Sequence, residues 1–233
     1  MRAPIALAVD TSDLDIAKSW VSATSDSVSV IKLGLEFFLN FGHQGVKAIT
    51  DESDAQLFLD LKLHDIPHTV AGAAEAIAEL HPTFLTVHAG GGPAMISAAV
   101  AALPSVHITA VTILTSLSEE DCREIGFSQK PLDAAVNLAR IATSSGARAI
   151  VSSPLEVSAI RAAVGRDPII ITPGVRPESP KGGDDQKRTM TPRAAISAGA
   201  SYVVIGRPIT EAWSNGPRAM AERARAIADE ILN

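Results

Sequence analysis

Five charged residues sit where apolar ones would be expected: Asp10, Lys32, Asp60, Lys62 and Asp65. Asp60 and Lys62 interrupt the run LFLDLKL (57–63), and Asp65 follows in LHDIPHTV (63–70). On a strand, residues two apart share a face, so Asp60 and Lys62 point the same way while Leu59, Leu61 and Leu63 take the other side. Polar groups in an apolar strand are costly unless they are paired or functional. An isolated Asp/Lys pair would read as a buried salt bridge. Here Lys32 ends the preceding apolar run and Asp10 the one before it. An alternating cluster of two acids and two lysines at one rim reads as an active site.

A second group suggests what binds. SYVVIGRPIT (201–210) ends a strand on Gly206 and opens a helical turn with Arg207. Free backbone N–H groups there suit an anion, and Arg207 adds a charge-assisted contact, so a phosphate is expected. Lys32 beside Asp60 supplies positive charge where a metal would otherwise sit, and no metal is expected. His64, His68 and His88 lie near the cluster, but lone histidines near a site carry little weight, and His88 reads as a structural strand-end residue. The single cysteine, Cys122, excludes an intrachain disulfide framework, and its setting EEDCREIG reads as a solvated helix.

The elements that must hold these residues recur along the chain. Strand-like runs occupy 5–10, 29–36, 57–63, 84–89, 107–114, 147–153, 168–175 and 201–206. Alanine-rich stretches of helical period separate them, as in VAGAAEAIAEL (70–80), where Val70, Ala73, Ala74, Ile77 and Leu80 form one face, and in 132–146. Several strand runs lack polar alternation, as strands buried on both faces do. Eight such units of about 29 residues fit a closed (β/α)8 barrel, whose chemistry gathers at the C-terminal ends of the strands. A doubly wound open sheet is the runner-up, but AVDTSDLDIA (8–17) lacks the glycine fingerprint that would follow its first strand. No linker composition divides the chain, so residues 1–233 read as a single domain. The strand ends then also bring Thr115 with Ser116, and Pro173 with Arg176, to the rim. Residues 176–188, rich in Pro, Gly and charge, read as a mobile loop.

Bulk properties exclude some classes. The chain has 233 residues, 46% hydrophobic and 20% charged, with a net charge of −6. That balance argues against a general nucleic-acid binder, which needs a basic face. No apolar run reaches the ~18 residues of a membrane span, and MRAPIALAVD (1–10) reads as the first core strand rather than a secretory signal. A cytoplasmic protein is expected.

The whole chain also resembles the orotidine 5′-phosphate decarboxylase family, of the ribulose-phosphate-binding barrel type. The likeness is carried by LAVD (7–10), IKLGLEFF (31–38), LDLKLHDIPHTV (59–70), VHAGGG (87–92), VTILTS (111–116), ITPGVRP (171–177), DQKRTMTP (185–192) and YVVIGRPIT (202–210). His68 stands where Asn is usual, and Ala89-Gly90 where Ala-Ser is usual. The resemblance implies cofactor-independent decarboxylation of orotidine 5′-phosphate to UMP in pyrimidine biosynthesis. It implies that Asp10 and Lys32 bind the ribose hydroxyls, that Asp60 sits beside the substrate carboxylate, and that Lys62 donates a proton to C6. Thr115 and Ser116 would lie against the base, Pro173, Arg176 and Gln186 would belong to a closing phosphate loop, and Gly206 and Arg207 would hold the phosphate. Asp65, Ile66 and Thr69 would reach the other subunit's site, which implies a homodimer with shared active sites. Related barrels sharing the D-x-K-x-x-D pattern, Mg²⁺-dependent sugar-phosphate decarboxylases and aldolases, carry an acid where Lys32 stands. A non-catalytic barrel that senses a phosphorylated metabolite would need neither Asp60 nor Lys62.

Overall fold

The computed structural model describes residues 2–176 and 190–233. Eight parallel strands close into a barrel in sequence order: β1 (Ala3–Ala8), β2 (Val28–Gly34), β3 (Gln56–Leu63), β4 (Phe84–His88), β5 (His107–Val111), β6 (Ala149–Val151), β7 (Ile169–Thr172) and β8 (Tyr202–Ile205). β8 pairs with β1, so the sheet has no free edge. This is the (β/α)8 barrel expected from the eight apolar runs, and the open-sheet alternative is excluded.

The helices pack around it: α1 (Leu14–Thr24), α2 (Leu35–Thr50), α3 (Pro67–Ala76), α4 (Gly92–Ala102), α5 (Glu119–Glu124), α6 (Pro131–Ser144), α7 (Val157–Val164), α8 (Pro192–Ser197), α9 (Arg207–Thr210) and α10 (Pro217–Leu232). Their starts follow from sequence. Asp13 accepts from the Asp15 and Ile16 N–H groups, and Ser118 and Asp121 form a capping box. Thr191 caps α8, and proline occupies the first turn of α3, α4, α6, α8, α9 and α10. The helix expected over 70–80 begins earlier, at Pro67, whose fixed φ suits a first turn; it ends at Ala76, and after Ile77 a 3-10 turn takes over at Ala78.

Alternation along the strands creates two cores. Ile5, Leu7, Leu33, Leu57, Leu59, Leu85 and Val87 face outward, where the helices bury them. Ala6, Val30, Phe58, Phe84, Ala149 and Ile171 fill the barrel interior, with Phe58 and Phe84 edge to face at 5.6 Å between centroids. Large rings on β3 and β4 face alanines on β1 and β6, so the interior is packed shut below the rim. Whatever is polar on the inward face therefore gathers above this plug, at the C-terminal ends. Cys122 belongs to the outer core: α5 is solvated, but Cys122 itself is fully buried.

Several strands are shorter than their sequence runs, β6 and β7 most clearly. β6 covers three residues of 147–153, and β7 four of 168–175. Pro168 and Pro173 bracket β7, and prolines supply no N–H to a ladder.

Candidate active site

The alternation that packs Val30 and Phe58 inward carries Lys32 and Asp60 to the same side one step higher. In the β2–β3 register Lys32 pairs with Phe58 and Gly34 with Asp60, which leaves Lys32 diagonal to Asp60. Lys32 Nζ lies 3.4 Å from Asp10 Oδ1 and 3.5 Å from Asp60 Oδ2. Lys62 Nζ donates to Asp60 Oδ1 at 2.7 Å. The four residues thus form a chain of alternating charge, Asp10–Lys32–Asp60–Lys62, with Lys32 and Asp60 almost closed to solvent and Lys62 partly open. Gly34 leaves room for the Lys32 head group: a Cβ there would stand 3.2 Å from Nζ and 3.4 Å from Asp10 Oδ1.

Lys62 reaches this position by a route that simple alternation does not describe. Leu59 pairs with Leu85, but Leu63 pairs with Val87, so four steps on β3 match two on β4. The extra residues bulge, and Lys62 takes a left-handed backbone with φ 49°. Its N–H donates to Thr86 Oγ1 at 2.8 Å, and Thr86 Oγ1 in turn donates to Asp60 Oδ1 at 3.1 Å. The expectation that Asp60 and Lys62 share the barrel mouth holds, but a bulge and not an even strand produces it.

Electrostatics matches the geometry. Burial would drive the Lys32 ammonium toward its neutral form, yet Asp60 and Asp10, by charge and hydrogen bonding, outweigh it and raise the pKa above 10.5. Burial likewise pushes the Asp60 carboxyl up, while Lys32, Lys62 and the hydrogen bonds from Lys62 and Thr86 bring it below 3.8. Lys32 and Asp60 are therefore both charged at neutral pH. His88 has its pKa lowered by partial burial, then by His64 and Lys62, against the opposing pull of Asp60, so it is a neutral imidazole at pH 7. Its ring lies 5.2 Å from that of His64, outside the cavity, in keeping with a structural role.

A cavity of about 580 Å³ opens above the cluster. Asp10, Lys32, Asp60 and Lys62 line one side, and Thr115, Ser116, Pro173, Arg176, Gly206 and Arg207 line the remainder, together with apolar Val111, Ile113, Val151 and Val204. Nearly every rim residue read from the sequence is thus brought to one cavity. Asp65 and Ile66, just before α3, and Thr69, in its first turn, are exposed and do not line it; the resemblance assigns them to the other subunit's site. Asp65 Oδ1 instead accepts from the Ile66 N–H at 2.6 Å. Gln186 and most of the 176–188 loop lie outside the described residues; before them Val175 pairs with Met190, and the Arg176 N–H donates to Met190 O at 2.9 Å.

Sequence reasoning missed Thr86 and Ser152. Thr86 is fully buried inside the β4 run, and Ser152, just after β6, lines the cavity with its hydroxyl buried and without a partner among the described residues. A hydroxyl amid apolar residues was the available signal in both cases, but Ser and Thr are too common in strands to single out. Among the described residues no three His, Cys, Asp or Glu side chains converge as metal ligands, and no helix is long and apolar enough to cross a membrane.

Comparison with known proteins accords with this arrangement. A curated protein from Thermobifida fusca named orotidine 5′-phosphate decarboxylase is 51% identical over 221 residues, spanning 95% of this chain and 94% of that one. A protein of the same name from Frankia casuarinae is 45% identical over 94% of this chain and 86% of its own. The crystal structure of orotidine 5′-phosphate decarboxylase from Lactobacillus acidophilus superposes with a TM-score of 0.83 at 34% identity, covering 99% of this chain and all of that one. The family model described as Orotidine 5′-phosphate decarboxylase / HUMPS matches residues 3–224. With barrel, rim cluster and matching relatives all in agreement over nearly the full chain, this protein belongs to the orotidine 5′-phosphate decarboxylase / HUMPS family.

Proposed function

We propose that the chain decarboxylates orotidine 5′-phosphate to UMP in pyrimidine biosynthesis, without a cofactor, as a single barrel domain over residues 1–233. The observation that carries the reading is the ammonium of Lys62 held 2.7 Å from Asp60 in a cavity whose lining also includes Gly206 and Arg207. The two features fit the two ends of a nucleotide, a reacting base and a phosphate.

The C6–carboxylate bond breaks, CO₂ leaves, and the electron pair stays on C6. That carbanion is poorly delocalised by the ring, so a fixed cation beside C6 stabilises it as it forms. Lys62 fills this role and then gives one of its protons to C6, completing UMP; solvent restores the ammonium. Asp60 accepts from the Lys62 ammonium and sits beside the substrate carboxylate, while Lys32 balances it from the other side. Asp10 and Lys32 bind the ribose hydroxyls, and Thr115 and Ser116 lie against the base. Pro173, Arg176 and Gln186 close over the phosphate, which Gly206 and Arg207 hold. Binding energy from the phosphate, remote from C6, then serves to order the site and exclude water.

Asp65, Ile66 and Thr69 complete a second subunit's site in a homodimer. Their exposure just before α3 and in its first turn, away from their own chain's cavity, supports this. So does Ile66, an isoleucine left 65% exposed.

The Mg²⁺-dependent sugar-phosphate reading of the same barrel type is the competitor, since such barrels share the D-x-K-x-x-D pattern that Asp60, Lys62 and Asp65 form here. Lys32, paired on both sides with carboxylates, favours the decarboxylase. The test is the absorbance change as orotidine 5′-phosphate becomes UMP, with and without EDTA. Turnover unaffected by EDTA is expected. No turnover, or turnover of a sugar phosphate abolished by EDTA, would favour the competitor.

A further inference from the structure

We propose that Thr86 is a positioning residue that sets both the backbone and the head group of Lys62; the inference rests on Lys62 being the proton donor. The chain has a problem to solve at residue 62. The bulge between Leu59 and Leu63 takes this part of β3 out of register with β4, so the Lys62 N–H loses its regular ladder setting. A buried N–H without an acceptor is unfavourable, and a left-handed backbone at a residue with a Cβ persists only where its surroundings over-determine it. Lys62 and His81 are the non-glycine residues with positive φ among the described residues, and His81 lies at the C-terminal end of the 3-10 turn, far from the rim.

One hydroxyl answers both needs. Thr86 Oγ1 accepts the Lys62 N–H at 2.8 Å, which leaves its own proton for Asp60 Oδ1 at 3.1 Å. That same Oδ1 accepts from Lys62 Nζ at 2.7 Å. The bonds close a ring: hydroxyl to carboxylate, carboxylate to ammonium, and along the lysine back to its own N–H and the hydroxyl. Both ends of the Lys62 residue are thereby referenced to a single atom. That atom is rigid, because Thr86 is fully buried and its branched Cβ restricts χ1. A proton donor must be placed to within a fraction of an ångström, and a long lysine side chain does not achieve this unaided.

The test compares kcat and KM of Thr86→Val, which keeps the shape and loses the hydroxyl, with Thr86→Ser, which keeps the hydroxyl. Thr86→Val is expected to lower kcat by about 10²-fold, the usual effect of misplacing a reacting group, while KM moves by less than about threefold. Thr86→Ser is expected to stay within about fivefold of the parent protein. Should Thr86→Val fail to fold by circular dichroism, Thr86→Ala against Thr86→Ser carries the same comparison. A Thr86→Val protein with kcat near that of the parent would overturn the proposal. So would equal losses in the hydroxyl-free and serine variants, or a loss confined to KM. Lys62→Ala, measured alongside, separates the premises: if it remains active, the role of Lys62 itself is wrong; if it is inactive while Thr86→Val is active, only the role of Thr86 fails.

Discussion

Lys62 Nζ stands 2.7 Å from Asp60 Oδ1, while the other oxygen of the same carboxylate faces Lys32 at 3.5 Å. One acid therefore serves two ammonium groups, and the two lysines have different dependence on it. Lys62 is partly open to the cavity, whereas Lys32 is nearly closed off. If Lys62 is the proton donor, Lys62→Ala should fold normally and lose at least about 10³-fold in kcat, since general acid and electrostatic contributions would both vanish. Asp60→Ala should instead cost stability, about 3 kcal/mol by urea unfolding, because among the described residues the Lys32 ammonium keeps only Asp10 as ion-pair partner. Near-normal turnover by Lys62→Ala, or unchanged stability in Asp60→Ala, would contradict this division.

The charge cluster predicts how stability follows pH. The Asp60 carboxyl is harder to protonate in the folded protein than in the unfolded chain, so its contribution is full above 3.8 and fades as pH falls through its depressed folded value. Lys32 behaves oppositely: its contribution is full below 10.5 and is lost as pH rises through the raised folded value. The charged and titratable groups around Asp60 are Lys32 from β2, Lys62 on its own strand and His88 from β4, with Asp10 beyond Lys32. The stability gap between the parent protein and Asp60→Asn should therefore narrow below pH 3.8, as followed by urea midpoints from neutral pH downward. A gap that widens on acidification would reverse the sign of the argument.

Arg207 lines the cavity beside Gly206, where a Cβ would come within 3.3 Å of the Ala8 Cβ. A charge-assisted hydrogen bond to phosphate is worth about 1.5–3 kcal/mol, so Arg207→Ala should reduce kcat/KM for orotidine 5′-phosphate by roughly 10- to 100-fold. With orotidine, which has no phosphate, parent and variant should be nearly equal. A matching loss on both substrates would place the effect of Arg207 elsewhere.

If Asp65 completes the neighbouring subunit's site, two inactive proteins can rescue each other. In a hybrid dimer of Asp60→Asn and Asp65→Asn chains, one site carries both changes and the other carries neither. Random mixing should then restore about a quarter of the sites, read as regained turnover after subunit exchange. Exchange demonstrated by mass without any regained turnover would count against shared sites.

Legibility in the sequence followed the physics of each residue. The eight apolar runs sufficed for the barrel because strands buried on both faces must be apolar throughout, and Lys32 and Asp60 stood out as exceptions to that rule. Strand ends were less legible: β6 and β7 stop short because flanking prolines and loop geometry, not hydrophobicity, decide where pairing ends. The bulge at Lys62 was invisible, since register is a relation between two strands and leaves no mark on one of them. Thr86 was hidden for a related reason: its importance comes from what lies opposite it on β3. Asp65 stood out by its charge, but its place away from its own cavity, with Ile66 and Thr69, was expected only by resemblance, because nothing in their local pattern says which way they face.

The backbone of Lys62 sets activity against durability. A left-handed conformation at a residue bearing a Cβ costs about 1–2 kcal/mol, and glycine alone escapes that cost. Lys62→Gly and Lys62→Ala lack the same ammonium and differ in little but this conformational penalty. Of these two inactive proteins the glycine form should be the more stable, by about 1 kcal/mol in urea unfolding. The enzyme would then hold its proposed proton donor at a rim position where the chain would rest more easily with no side chain, so selection for stability alone would tend to erase the activity.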